Sequence, residues 1–184
     1  LKVTEIAELV KAFASAAKRS VAAGFDLVEI HAAHGYLFHQ FYSPLSNQRS
    51  DSYGGSFENR IRFLLETIKA VRSGIPDSMP LFVRISASDW VEQGWSIEES
   101  IELSKLMKKL GVDLVDVSSG GNLHNAPIKA IPGFQVPFAQ AIRQGADIPT
   151  SAVGLITGAK QADEIISSGK ADAVFLARAM IRNP

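Results

Sequence analysis

One punctuation recurs along the chain and constrains its fold more than any other feature. A stretch with helical spacing ends at a glycine, one or two residues follow, and an aspartate opens a short apolar run. It occurs at Gly24-Phe25-Asp26, at Gly111-Val112-Asp113 and at Gly169-Lys170-Ala171-Asp172. A glycine just past a helix supplies the left-handed residue that ends it. The short, nearly unbroken apolar run that follows suits a strand buried on both faces of a parallel sheet. The chain therefore reads as helix and strand in alternation.

Taken in order, the first helix is predicted from Thr4, which caps it, with Glu5 and Glu8 at its positive end. Ile6, Leu9, Val10, Phe13, Ala17 and Val21 then keep helical spacing to Gly24. A strand at 27–30 follows, and residues 37–55 read as one long polar loop of the kind that carries function. A helix over 56–71, a strand over 81–85 and a helix opened by the capping box Ser96-Ile97-Glu98-Glu99 come next. A strand at 113–117 empties into Ser118-Ser119-Gly120-Gly121. A helix at 136–144, a strand at 150–153 ending at Gly154, a helix at 159–167 and a strand at 173–176 complete the series. Connections of crossover length between successive strands mean a parallel sheet. That sheet is either doubly wound or part of a (β/α)₈ TIM barrel. The stretch after the first strand, His31 to Gly35, is no G-x-G-x-x-G dinucleotide fingerprint, which favours the barrel. The expectation is an incomplete barrel with about five parallel strands, as a single domain over residues 1–184.

Composition narrows the function classes. A chain of 184 residues with 46% hydrophobic side chains can bury a core. Lys plus Arg and Asp plus Glu are both 19, so net charge gives no argument for nucleic acid. No apolar run approaches the roughly 20 residues of a membrane span, and no signal-peptide pattern opens the sequence. The chain has no cysteine, which excludes a thiolate site and fits a cytoplasmic protein.

The chemistry-bearing stretch is Asp26 to Tyr36. An apolar run stops at His31, and His34, Gly35 and Tyr36 follow where a strand ends, the usual place for chemistry in α/β folds. Three readings stay open for the two histidines. They are satisfied structural residues, or they share a metal with His124, or they are two hydrogen-bond donors aimed at one oxygen of a carbonyl or nitro group. No H-E-x-x-H accompanies them, so no metal is assigned. Tyr36 is placed to donate a proton. Arg84 lies inside an apolar strand, where a charge needs a partner. It either pairs with Glu29 or Asp116 or faces an anionic cofactor. Val153-Gly154 and Ala177-Arg178 end consecutive late strands, where barrels often hold a phosphate. Arg178 is otherwise a surface residue.

Several segments together closely resemble the Old Yellow Enzyme family, FMN-dependent ene-reductases on a (β/α)₈ barrel. They are His31-Ala32-Ala33-His34-Gly35-Tyr36-Leu37, Ser43 to Asp51, Tyr53-Gly54-Gly55-Ser56-Phe57-Glu58-Asn59-Arg60, Phe82-Val83-Arg84-Ile85-Ser86 and Ala177-Arg178. Many members carry Asn as the second residue of the substrate-binding pair. His34 at that place is similar to the bacterial YqjM-like, thermophilic-like branch. The resemblance implies that His31 and His34 hold the substrate's electron-withdrawing oxygen and that Tyr36 delivers a proton to the alkene carbon. It places Arg84 at the pyrimidine edge of FMN, and Val153, Gly154, Ala177 and Arg178 at the FMN phosphate end. Position 177 is Ala where relatives often have Gly, and its backbone N–H remains available. NAD(P)H is the implied reductant, and the substrate a small molecule with an activated alkene or nitro group.

The family barrel has eight strands. The resemblance therefore implies that the first three, and a C-terminal tail that lends an Arg to a neighbouring subunit, lie outside this sequence. It also implies a homo-oligomer when the barrel is complete. Two alternatives remain at this stage. One is a related flavin barrel such as a 2,4-dienoyl-CoA reductase, whose relatives often hold an iron–sulfur cluster with cysteines. The other is a non-catalytic folding or assembly module.

Overall fold

The three glycine punctuations close their helices in the same way in the structure, a computed structural model that describes residues 1–183. Gly24, Gly111 and Gly169 have φ of 83°, 82° and 68°. After each, the next amide reaches back five residues, from Phe25 to Ser20, Val112 to Met107 and Lys170 to Ile165. This is the Schellman closure, which satisfies carbonyls the helix end would leave unpaired.

The elements are α1 (Val3–Ala22), β1 (Val28–Ala32), α2 (Leu37–Tyr42), α3 (Phe57–Arg72), β2 (Leu81–Ser86) and α4 (Ile97–Lys109). They continue with β3 (Leu114–Ser118), α5 (Val136–Ala146), β4 (Thr150–Ala152), α6 (Ala159–Ser167), β5 (Ala173–Val174) and α7 (Arg178–Arg182). The five strands form one parallel sheet in sequence order. None of the helices is long and apolar enough to cross a membrane, among the described residues.

Most boundaries shift by one or two residues, and four differences from the sequence reading have a clear physical reason. α1 opens at Val3, because the Glu5 carboxylate reaches back to the Lys2 N–H and caps the turn before Thr4. β1 runs on through His31 to Ala32, since β2 continues to pair with it up to Ala32↔Ile85. The polar His31 lies on the face away from the helices, so its polarity does not end the strand. The stretch 37–55 is not one loop: its first six residues form α2. β5 is short because only β4 pairs with it, from Ser151↔Ala173 to Ala152↔Val174.

Alternation splits the sheet into two faces. Ile30, Ala32, Val83, Ile85, Val115 and Val117 point into the helix layer and are buried. There they join a core with Phe63, Leu64 and Ile68 of α3 and Leu103 and Met107 of α4. The other face carries Glu29, His31, Phe82, Arg84, Asp116 and Ser151, with Glu29 and His31 exposed. A doubly wound sheet has helices on both faces and a reversal of strand order. This sheet has strictly sequential order and a polar second face, the arrangement of an incomplete (β/α)₈ barrel.

Candidate functional site

The register brings the sequence-predicted residues into a row. His31, Arg84, Asp116, Ser151 and Ala173 are Cα partners across the five strands. Arg84 and Asp116 meet there, with Nε and Oδ2 3.0 Å apart, and the Ser151 hydroxyl donates to Asp116 Oδ1 at 2.7 Å. Neither Arg84 Nε nor Asp116 Oδ2 gains an aligned hydrogen bond from this approach, so the contact is one of charge. Of the two partners open to Arg84, Asp116 is the one found. Its carboxyl is fully buried, and burial pushes its pKa up against the opposing pull of Ser151 and Arg84. Arg84 keeps 28% of its side chain exposed and borders a cleft of about 480 Å³ with Val153, Phe175, Leu176 and Ala177.

One residue past β1 the chain turns sharply. His34 and Gly35 both have left-handed φ, 59° and 74°. The turn lies against the loop after β3 at backbone contact. A Cβ on Gly35 would sit 2.3 Å from the Gly121 carbonyl oxygen, and one on Gly121 would sit 2.5 Å from His34 Cα. Glycine at both places is therefore required by space as well as by φ. The turn brings the rings together: His31 and His34 have centroids 5.2 Å apart, and His31 and Tyr36 5.5 Å. Tyr36, the residue before α2, is 63% exposed.

The environment sets the protonation of the pair. Burial, then the Arg84 guanidinium, lowers the pKa of both imidazoles. For His34 the value falls to about 4, with His31 and His39 adding to the effect. Both rings are thus neutral at pH 7, and each presents one N–H donor and one lone pair.

The supports of the turn come from strand ends. Ser86, the last residue of β2, accepts the His34 amide at 2.9 Å and donates to the Gly120 carbonyl at 2.7 Å. Ser118, the last residue of β3, lies 2.7 Å from His34 Nε2. The Ser118 and Ser119 hydroxyls both reach Gln135 Oε1, and Gln135 Nε2 donates to the Val153 carbonyl. Tyr42 accepts the Ser86 amide and donates to the Ala32 carbonyl, pinning the ends of β1 and β2 together.

The ends of β4 and β5 also come together. Gly154, Thr157, Arg178 and Arg182 border one cleft. Gly154 has φ of 115°, and a Cβ there would meet Gln135 Nε2 at 2.7 Å and Phe134 Cε1 at 2.9 Å. Its missing side chain therefore admits the turn before α5 as well as freeing the backbone. His124 is exposed in the loop after β3, and no group of three His, Asp or Glu is placed to hold a metal ion among the described residues.

Of the candidates named from sequence, His31, His34 and Tyr36 meet on one rim, Arg84, Val153 and Ala177 border one cleft, and Val153, Gly154, Ala177 and Arg178 border another. Sequence reasoning missed Ser86, Ser118, Gln135, His39 and Asp89. Ser86 and Ser118 each end an apolar strand, and that position was the available signal. The other three acquire their partners only through folding.

Comparison with known proteins places the chain among its relatives. The chain is 56% identical over 180 residues to an NADPH dehydrogenase of Geobacillus sp. (strain WCH70), covering 98% of this chain and 52% of that protein. It is 52% identical over 180 residues, with the same coverage, to an NADPH dehydrogenase of Bacillus subtilis (strain 168). The chain thus spans about half the length of the curated relatives it matches. A solved 2-naphthoyl-CoA reductase complex superposes with a TM-score of 0.87 at 31% identity, over 95% of this chain and 27% of that one. The whole of residues 1–184 matches one family, and on that match the chain belongs to the NADH:flavin oxidoreductase / NADH oxidase family.

Proposed function

We propose that residues 1–184 form part of a single barrel domain in an FMN-dependent NADPH oxidoreductase that reduces activated C=C bonds. The observation that carries this reading is the convergence of two neutral imidazoles and an exposed phenol on one rim, one strand away from a cleft bordered by Arg84. The residues fit FMN. Arg84 is a partly buried cation that borders the cleft, suited to the electron-rich pyrimidine edge. Arg178 and Arg182, with the backbone at Val153, Gly154 and Ala177, supply cations and amides for the phosphate. Held by these residues, FMN would supply the hydride-transfer chemistry that links NADPH to the substrate.

The chain's own residues do the rest. His31 and His34 each donate a hydrogen bond to the carbonyl or nitro oxygen, His34 from Nδ1 with the Ser118 hydroxyl turning its proton to Nε2. That polarises the conjugated alkene and makes its β-carbon a better hydride acceptor. Tyr36 delivers the proton to the neighbouring carbon and recovers one from solvent, which its exposure allows. Reduction of a CoA ester is the second reading. It has a structural likeness at 31% identity behind it, against 56% for an NADPH dehydrogenase, and the higher identity supports the first reading.

The test is anaerobic. NADPH bleaches the flavin band of the loaded protein, and 2-cyclohexenone restores it. A flavin that NADPH reduces but no enone reoxidises contradicts the ene-reductase reading.

A further inference from the structure

The amide of Gly35, at the centre of the turn, donates to Nδ1 of the His39 side chain 3.0 Å away. His39 lies within α2 and is fully buried, its ring stacked on Tyr42 at 4.8 Å. An amide N–H is a fixed donor, so Nδ1 is the acceptor and the ring proton sits on Nε2. That Nε2 lies 2.9 Å from Asp89 Oδ1. Asp89 is 1% exposed, and its Oδ2 accepts from the Trp95 amide at 2.9 Å and the Ser43 hydroxyl at 2.6 Å. Burial opposes its ionisation, but the hydrogen bonds from His39, Ser43 and Trp95 outweigh burial and leave its pKa below the ordinary value. None of these groups reaches the open face where the proposed chemistry occurs.

We propose that His39 and Asp89 are positioning residues that hold the Gly35 backbone so that His31, His34 and Tyr36 converge on one ligand oxygen. The inference rests on the reading of those three as the ligand-holding group. His34 pays strain for its left-handed φ, a conformation that persists only when its surroundings over-determine it. The His39 acceptor supplies that determination from below, as Ser86 does from the side. The carboxylate is needed because two immovable donors lie at the ends of the relay, the amides of Gly35 and Trp95. A carboxylate accepts from both His39 and Trp95. An amide at position 89 has one acceptor oxygen, so either Trp95 loses its partner or the imidazole is driven to the Nδ1–H form, which confronts the Gly35 N–H.

Two variants of His39 separate positioning from packing. His39→Asn keeps an acceptor near the Nδ1 position and loses the reach to Asp89. His39→Gln keeps a donor toward Asp89 and offers Gly35 nothing. In the flavin-loaded protein, with phenol as the probe, His39→Asn is expected to bind within about threefold of wild type and His39→Gln about tenfold or more weaker. Amide exchange at Gly35 should rise about tenfold in His39→Gln and stay near wild type in His39→Asn. Nitrogen NMR should find the wild-type ring in its Nε2–H form. Equal phenol affinities in the two variants would overturn the proposal, whatever their melting temperatures, and so would equal Gly35 exchange. If wild type itself binds no phenol, the ligand reading fails, and Gly35 exchange still decides whether His39 holds the turn.

Discussion

His34 and Glu29 lie on or above the same sheet face, and folding moves their proton affinities in opposite directions. Burial, then Arg84, takes His34 from 6.5 to about 4. Between those values the unfolded chain binds more protons, so this contribution to stability is full above 6.5 and is lost as pH falls toward 4. Partial desolvation at the β1 edge, then Asp116, takes Glu29 from 4.5 to about 7. Its contribution has the opposite sense: it is full below 4.5 and is lost as pH rises through 7. Between 4.5 and 6.5 the two slopes oppose each other in the wild type. Melting temperature across that window should fall with pH in His34→Gln and rise with pH in Glu29→Gln. Matching slopes in both variants would show that neither site is perturbed. At the other end of the rim, Arg178→Ala should weaken FMN by about tenfold or more and leave riboflavin, which lacks the phosphate, nearly unaffected. Equal losses would place the phosphate elsewhere. His31, His34 and Tyr36 were legible in the sequence because they share one strand-end motif. Ser86 and Ser118 meet His34 across 52 and 84 residues of sequence, and His39 meets Asp89 across 50. Such pairs have no local signature, since only the parallel register brings them together.

At the scale of elements, start and stop signals read best where a side chain caps its own helix. Ser96 accepts the Glu99 amide at 3.3 Å while the Glu99 carboxylate accepts the Ser96 amide at 3.2 Å, the reciprocal capping box expected from the sequence. Ser96→Ala should cost about 1 kcal/mol in urea unfolding, with m unchanged. No measurable loss would mean that the Glu99 carboxylate, through the residue-96 amide and Arg60, holds the helix start without the hydroxyl. α2 was illegible for the converse reason. Tyr36 offers no side-chain cap, and Leu37–Tyr42 is rich in aromatic residues with weak helix propensity. Its helix comes from packing: Phe38 lies 4.9 Å from Phe13 and 4.8 Å from Phe63, and Tyr42 4.4 Å from Trp95, between ring centroids. The loop after it is a clamp as much as a functional element. Asn47 Nδ2 donates to the carbonyls of Phe41 and Tyr53, and Arg60 Nε to that of Tyr42 at 2.9 Å. Asn47 of this loop and Arg60 of α3 thus hold α2, and through His39 the turn above it.

For the molecule as a whole, five strands cannot close a barrel whose eight strands fix its tilt and shear. β1 and β5 pair on one side only. Leu27 beside β1 and Met180 and Ile181 after β5 are exposed, so both open ends carry apolar surface. Neither strand carries the proline or lysine that guards an edge. Residues 1–184 on their own should therefore associate with rising concentration in sedimentation experiments, and a monodisperse monomer at all concentrations would contradict the open-edge description. On the rim above this sheet, His31 and His34 are proposed to hold one ligand oxygen beside FMN. Titration of the flavin-loaded protein with phenol, in wild type and in the double variant His31→Ala/His34→Ala, tests this most directly. The account predicts an affinity loss of more than a hundredfold, on the order of 3 kcal/mol, with flavin content retained. Undiminished phenol affinity in the double variant would contradict it.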